Sequence, residues 1–599
     1  MAAESAPSSS AHPPGTSTPA WQRFRWVGLF LFFAAVSLIG FLLWNQRRVQ
    51  PEAQAPLPQV IAPSEGGTYT EALIGTFGRL NPLFDHLNGP DRDIDRLLYR
   101  GLVQFDYQGI PRPDLAEGWG VARDGRTYNF ALRRDAVWHD GTPITAADVL
   151  FTIELMRRED LPIDPNVRTL WQKVEVRVLD DYTLQFQLPE PFAPFLDYLT
   201  FGILPKHVWE PYQDDLLNAP PNQNPIGNGP FRFDHFLVEE GRIIGVALQA
   251  FNDFYEGRPF IDEFVFRYYP SHQAAFQAYQ QGEVMGIASI EEPILEPALH
   301  DPTLNIYTAR LPRLTLIFFN LQNLEAPFLQ DVRVRKALYL ALNRKRMIRR
   351  VLHGQALLAD SPIFPGTWAY DPTLPRVPYD PEQAQRLLEE AGYTFGDDPQ
   401  VRTKDDVRLE LTLLHPDTEV HRALAQEIAR DWTRIGVGVT LEAVPYDELL
   451  NDRLALRKYQ AALVDLDLAR SPDPDPYPFW HEAEAGQGGQ NYSMWKNRRA
   501  SMLLELARVT PDLQKRARLY HSFQRIFAEE WPALPLFYPV YNYGVSAQVK
   551  GVRLGPLFDP SDRFQHVGSW YLVARPQLAI TQPVEPSTAT PEPAATETR

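Results

Sequence analysis

Two carboxylates, Asp473 and Asp475, stand two positions apart in the run Ser-Pro-Asp-Pro-Asp-Pro-Tyr-Pro that begins at Ser471. Paired carboxylates can share acid–base work or bind a cation. The alternating prolines forbid both a helix and a central strand. The run therefore reads as a rigid extended loop, with a ligand-lining loop as the second reading. His481-Glu482 follows without a second histidine at helical spacing, and it reads as a solvated pair. No phosphate loop, G-x-G-x-x-G turn, G-x-S-x-G elbow or H-E-x-x-H helix occurs along the chain. There is no cysteine, which excludes disulfides, thiolate nucleophiles, cysteine-ligated metals and a cysteine-linked lipid anchor. No cofactor and no metal site is read from these residues. Any energy-driven process this chain serves must take its ATPase from another chain.

The elements that must hold such residues belong to an ordinary globular chain. Of 599 residues, 44% are apolar and 22% charged, and the net charge of −17 is opposite in sign to that of a generic nucleic-acid binder. No fixed-period repeat is present. Thr127–Leu132 alternates as a half-buried strand, and Lys173–Val178 with Thr183–Leu188 reads as a hairpin. Val332–Leu342 has helical spacing. Pro381–Ala391 starts with proline and stops at Gly392, as helices do. Arg408–Leu414 and Val437–Val444 flank a helix over Val420–Ile435, a unit that points to a parallel α/β core.

Val27 to Trp44 is a run of 18 uncharged, mostly apolar residues. As a helix it covers roughly 27 Å, against about 30 Å for a bilayer core. Arginines at 23, 25, 47 and 48 flank it, and Trp26 and Trp44 stand at its ends. The reading is an uncleaved transmembrane anchor. A signal peptide cut after Ala53-Gln54-Ala55 is the alternative, disfavoured by Pro56 and by the length of the run. Two arginines on each side leave the positive-inside count undecided, and an N-terminus inside, with a short tail before the run and a large body after it, is the expectation only together with the family resemblance below. Residues 1–26 read as a disordered tail, 45–64 as a Pro-rich linker and 576–599 as a second low-complexity tail.

Several blocks in order then carry a resemblance: LYRGLVQFD (98–106), PDLAEGW (113–119), TYNFALRRDAVWHDGTPITAADV (127–149), IGNGPF (226–231), VRVRKALYLALNR (332–344), YDPEQAQRLLEEAGY (379–393), SPDPDPYPFW (471–480) and QNYSMW (490–495). They resemble the extracytoplasmic solute-binding proteins of ABC transporters, family 5, the oligopeptide, dipeptide and nickel-binding type. The resemblance implies an α/β fold like the type II periplasmic binding proteins, with two lobes and an extra domain, here preceded by the one transmembrane helix read from Val27 to Trp44. Carried over, the first lobe combines 65–106, 225–312 and 526–575, the extra domain is 107–224, and the second lobe is 313–525. Within the blocks, Asp140-Gly141-Thr142-Pro143 is turn chemistry. Thr145 with Asp148 reads as a helix start, Trp138 as a core anchor, and the arginines of 332–344 as pairing or capping groups.

The family implies a solute captured between the lobes, without turnover, and handed to ABC permease subunits whose ATPases are separate chains. A peptide is the first reading of that solute, with another extended small solute, or a nickel complex or heme as elsewhere in the family, as the alternatives. In peptide-binding relatives an aspartate shortly before the Asp-Pro element pairs with the ligand ammonium. Anchored on Asp473-Pro474, that position is Arg470 here. Arg470 could clamp a carboxylate or phosphate, and the alternative register offers Asp467, Asp473 or Asp475. The aromatic position after the preceding strand falls near Tyr446. The expected ligand-binding residues are thus Tyr446, Asp467, Arg470, Asp473, Asp475, Trp480, Asn491 and Tyr492, with Asn81 from the first lobe. Core packing is the competing reading for the aromatics. No nucleic acid is expected as a partner. The body is expected outside the cytoplasm, in the periplasm or on the cell surface. A sensory receptor or scaffold on the same fold, and a hydrolase using Asp473 and Asp475, are the competing functions.

Overall fold

The computed structural model describes residues 21–48, 63–468 and 472–573. Most of the expected N-terminal tail and Pro-rich linker, the C-terminal tail, and Arg470 lie outside them. The chain divides into two units, Met1–Ala62 and Pro63–Arg599. In the first, one helix of 28 residues, Trp21–Arg48, contains the whole apolar run. Phe30, Phe32 and Leu38 on it are exposed. Among the described residues, which for this helix's side chains are 30 and 32–44, no helix is long and apolar enough to cross a membrane.

In the second unit, twelve strands form one sheet. Its main path runs Gly438–Val444, Glu410–Pro416, Ala461–Asp467, Arg313–Phe319, Ala533–Ser546, Gly286–Ile287, Thr68–Ile74, Glu263–Tyr269, Arg242–Ala250 and Phe231–Glu239. The 14-residue strand Ala533–Ser546 serves both halves. Its first part pairs with Arg313–Phe319 (Phe318 opposite Ala533), and its second with Leu304–Arg310 (Tyr307 opposite Tyr543). The apolar side chains divide in the same way. Leu534, Leu536, Phe537 and Tyr538 join a core with Phe318, Trp432 and Phe527. Tyr541, Tyr543 and Val545 join another with Tyr69, Phe264 and Trp570. Two cores therefore share one strand and the short crossing at Leu311-Pro312.

Local chemistry accounts for the elements. In Thr127–Leu132 the side chains of Tyr128, Phe130 and Leu132 are buried and the alternate ones face out. This strand pairs with Thr183–Gln187, which pairs antiparallel with Glu175–Asp180 as the expected hairpin. With Ala116–Val121 they make a four-stranded sheet whose apolar face joins the core of Tyr69 and Phe264. Asp380 caps Pro381–Glu390 by accepting the Gln383 N–H at 2.8 Å, and Gly392 beyond its end has φ of 94°. Glu410–Pro416, the helix Glu419–Thr433 and Gly438–Val444 form the expected parallel unit. Asp148 reaches back to the Thr145 N–H at 2.9 Å, and Trp138 is fully buried. Arg335 donates to the carbonyls of Leu329 and Trp531, so it closes helix and strand ends from inside.

Candidate functional site

Glu410–Pro416 runs parallel to both Gly438–Val444 and Ala461–Asp467, so Pro416, Val444 and Asp467 end on one side. In the other half, Thr68–Ile74 is parallel to Glu263–Tyr269 and Gly286–Ile287. Open α/β sheets take ligands outside the carboxyl ends of such strands. At the ends near Asp467 an organised polar cluster is built. The Thr418 hydroxyl accepts the His421 N–H at 3.2 Å and so starts the helix Glu419–Thr433. That turn carries His421 Nε2 to 3.4 Å from Asp465 Oδ2. The Thr315 hydroxyl donates to Asp465 Oδ1 at 2.6 Å. Burial works against an ionised Asp465, but the bond and charge of His421, the Thr315 hydroxyl and the charge of Arg313 outweigh it and hold its pKa below the ordinary value.

Tyr446 opens the short turn after Val444, and its hydroxyl donates to the Asp465 carbonyl at 2.9 Å. Tyr446 remains 38% exposed. Asp467, the last residue of its strand and opposite Arg313, is exposed. An exposed aromatic face beside a carboxylate can stack on a planar or extended solute and pair with a cationic group. Sequence reasoning placed Tyr446 and Asp467 here but missed Asp465, His421 and Thr315. The available signal was the Asp-Leu-Asp strand end, which puts residues 465 and 467 on one face.

Apart from Arg470, which lies outside the described residues, the other expected residues have internal partners. Trp480 packs between Phe318 and Phe527, with centroids 5.6 and 4.8 Å away. Tyr492 meets Phe318 edge-on and lies 5.1 Å from the Arg457 guanidinium. Asn491 is fully buried, donating to the carbonyls of His481 and Trp495 and accepting from Ser493. Asn81, also buried, binds Asn222 and the Leu83 N–H. Asp473 takes both terminal nitrogens of Arg516, and Asp475 takes Nε and Nη2 of Arg508 at 2.9 and 2.6 Å. Burial raises the Asp475 pKa, and Arg508 offsets only part of that. With both carboxylates held by arginines, neither has the free geometry a hydrolytic acid or base needs. His481 is not a solvated residue: it is buried, stacked 4.0 Å from Tyr477 and bonded to Glu505 at 2.9 Å. Tyr477 supplies an apolar lid that the adjacent His-Glu spelling does not reveal. His139 is half-buried between the Gly227 N–H and the Gly229 carbonyl, and desolvation lowers its pKa to about 4. Among the described residues no group of three or more His, Asp or Glu side chains could hold a metal ion. A cavity of about 620 Å³ lies at the opposite, amino ends of these strands, lined by Asn320, Thr412, Arg453, Lys458 and Gln460 among others.

The family pattern described as "Bacterial extracellular solute-binding proteins, family 5 Middle" matches residues 111–489, more than half of the chain. The chain is a family 5 solute-binding protein of ABC transporters. This family 5 protein is 28% identical over 484 residues to the dipeptide-binding protein of Escherichia coli K12, covering 77% of this chain and 87% of the relative. It is 26% identical over 518 residues to the oligopeptide-binding protein AppA of Bacillus subtilis 168, covering 85% and 92%. The structure of AppA with a nonapeptide superposes with a TM-score of 0.61 at 25% identity, over 86% of this chain and all of that one. HbpA2 of Haemophilus parasuis shares the fold, with a TM-score of 0.75 at 24% identity over 85% of this chain and all of that one.

Proposed function

We propose that this protein captures peptides between its two lobes and delivers them to an ABC permease, tethered to the membrane by the helix Trp21–Arg48. The lobes follow the discontinuous division 65–106 with 225–312 and 526–575, against 313–525, with 107–224 as the extra domain. The observation that carries this reading is a single sheet with two cores and a shared strand, in which Tyr446 and Asp467 stand exposed at the strand carboxyl ends of one half. Relatives named for binding dipeptides and oligopeptides support the solute class. In this arrangement Asp467 meets the solute's ammonium and Tyr446 stacks along its backbone. Arg470, three residues beyond Asp467, offers a second charge of opposite sign for a carboxylate. The apolar run of 18 residues supports the tether.

The test is native mass spectrometry of the full chain, purified in mild detergent, followed by identification of what denaturation releases. A ladder of short peptides is the expected result. A single non-peptide anion would retire the peptide assignment and make Arg470 the principal clamp.

A further inference from the structure

The segment that follows Ala461–Asp467 is gripped from the other side of the molecule. Residues 107–224 pack into the core of Tyr69 and Phe264, whereas Trp480, Tyr520 and Phe527 belong to the core of Phe318. Yet Asp197, on the helical turns Ala193–Leu199 of the first body, accepts the Asp473 N–H of the second through Oδ2 at 3.0 Å. Gly109, at φ 75°, lies so close that an added Cβ would meet the Pro472 carbonyl. The Gln108 carbonyl accepts the Trp368 N–H at 3.0 Å, and Arg508 stands 5.8 Å from the Phe192 ring.

We propose that Asp197 is a positioning residue, latching the extra domain to the loop 472–476 and thereby fixing the cleft-facing end of Ala461–Asp467. The proposal goes beyond the peptide reading and rests on it only for its consequence at the cleft. The groups around Asp197 come from every element packed there. Tyr198 stands on its own segment, Tyr128 on Thr127–Leu132, Asp473 and Asp475 on the loop, Arg508 on Arg498–Val509, and Arg516 with Tyr520 on Leu513–Glu530. Among the described residues, three carboxylates therefore face two guanidiniums, and Arg516 and Arg508 are already bonded to Asp473 and Asp475. Among the described residues, Asp197 is the carboxylate of the three with no guanidinium bonded to it. Burial first, and the Asp473 charge second, push its pKa well up, while the Asp473 N–H and Arg516 oppose the rise.

The sign follows from linkage. A carboxyl whose pKa is raised in the latched state takes up a proton when the latch forms. The latch is fully favoured below the ordinary carboxylate range. It weakens by up to about tenfold per pH unit as pH rises from there to the raised value.

Prolines 472, 474 and 476 have no amide hydrogen, so Asp473 and Asp475 supply the only exchangeable amides of this loop. Hydrogen exchange of the full chain without ligand, resolved to single residues and corrected for intrinsic rates, reads the latch directly. In the wild type, protection of the Asp473 amide should fall as pH is raised from 4.5 to 8.5. Asp197→Asn keeps an acceptor oxygen and should hold protection with a flat profile. Asp197→Ala should lose at least tenfold of that protection at pH 4.5, the gap to wild type narrowing towards pH 8.5, with thermal unfolding of both variants reporting the global fold. Unchanged protection in Asp197→Ala, or a wild-type pH profile in Asp197→Asn, overturns the proposal. Because no solute is present, either result is independent of whether peptides bind.

Discussion

Arg563 shows how much charge this fold keeps inside. It is fully buried, donates twice to Asp93 at 2.8 Å and to Glu71 at 2.7 and 3.1 Å, and so ties the first strand, the helix Gly89–Leu98 and the C-terminal turns together. Burial raises the Glu71 pKa, and the Arg563 charge and Tyr543 hydroxyl only partly oppose it. Arg563→Met would leave two buried carboxylates without a cation, a loss of about 3–5 kcal/mol. A carboxyl with a raised folded pKa supports the fold when protonated and withdraws that support as pH rises through the raised value. The deficit of the variant should therefore be largest at pH 7.5 and shrink towards pH 5, measured by denaturant unfolding at both. A deficit independent of pH would mean that packing, not charge, explains the loss. The same scale separates cleft from core. Tyr446→Ala should change stability by less than about 1 kcal/mol and weaken solute binding, because its ring faces solvent. Trp480→Ala should cost about 3–5 kcal/mol, because its ring is enclosed by Phe318 and Phe527. Equal stability losses would remove that distinction.

The elements explain what the sequence made legible. Pro381–Glu390 could be read because Asp380, Pro381 and Gly392 are local signals. The parallel unit around Glu419–Thr433 could be read because its pattern changes period twice within a short stretch. Ala533–Ser546, the strand that unites the cores, gave no such signal. Pro535 and Pro539 interrupt it, and prolines normally exclude a central strand. The register accommodates the first by shifting between Thr315 and Leu316, where Leu316 faces Pro535 and Thr315 faces Phe537. The cluster of Thr315, His421 and Asp465 was hidden for a different reason: its members come from three elements and meet only through tertiary pairing. The block Ile226–Phe231 was legible as a motif, and the structure supplies its physics. Asn228 accepts the Arg100 N–H at 2.7 Å, and a Cβ on Gly229 would strike the Leu97 carbonyl oxygen. Gly229→Ala should therefore destabilise by about 1–3 kcal/mol through overpacking, while Gly141→Ala tests a glycine with open space but φ of 86°. A thermal-shift series in which Gly229→Ala matches wild type would show that the two segments separate without cost.

At the scale of the whole molecule, the proposed tether and the solute-binding unit should be separable. The unit Pro63–Arg599 holds both large cores, so solute binding should need nothing from Trp21–Arg48. The helix, in turn, carries 18 consecutive uncharged residues between two pairs of arginines, a length of roughly 27 Å against the bilayer's 30 Å or so. An aspartate at the centre of such a span costs about 2.5–3.5 kcal/mol each time. Val36→Asp with Leu38→Asp should therefore shift the chain from the carbonate-resistant membrane fraction to the soluble one, while the solute released by denaturation stays the same. Intact mass adds the competing outcome. A mature chain at 68.4 kDa retains the helix, whereas loss of residues 1–55 marks a cleaved leader and removes the tether. If the uncut wild-type chain is released by carbonate as readily as the double variant, the helix is not an anchor. The receptor would then have to find its permease by diffusion rather than by confinement to the same surface.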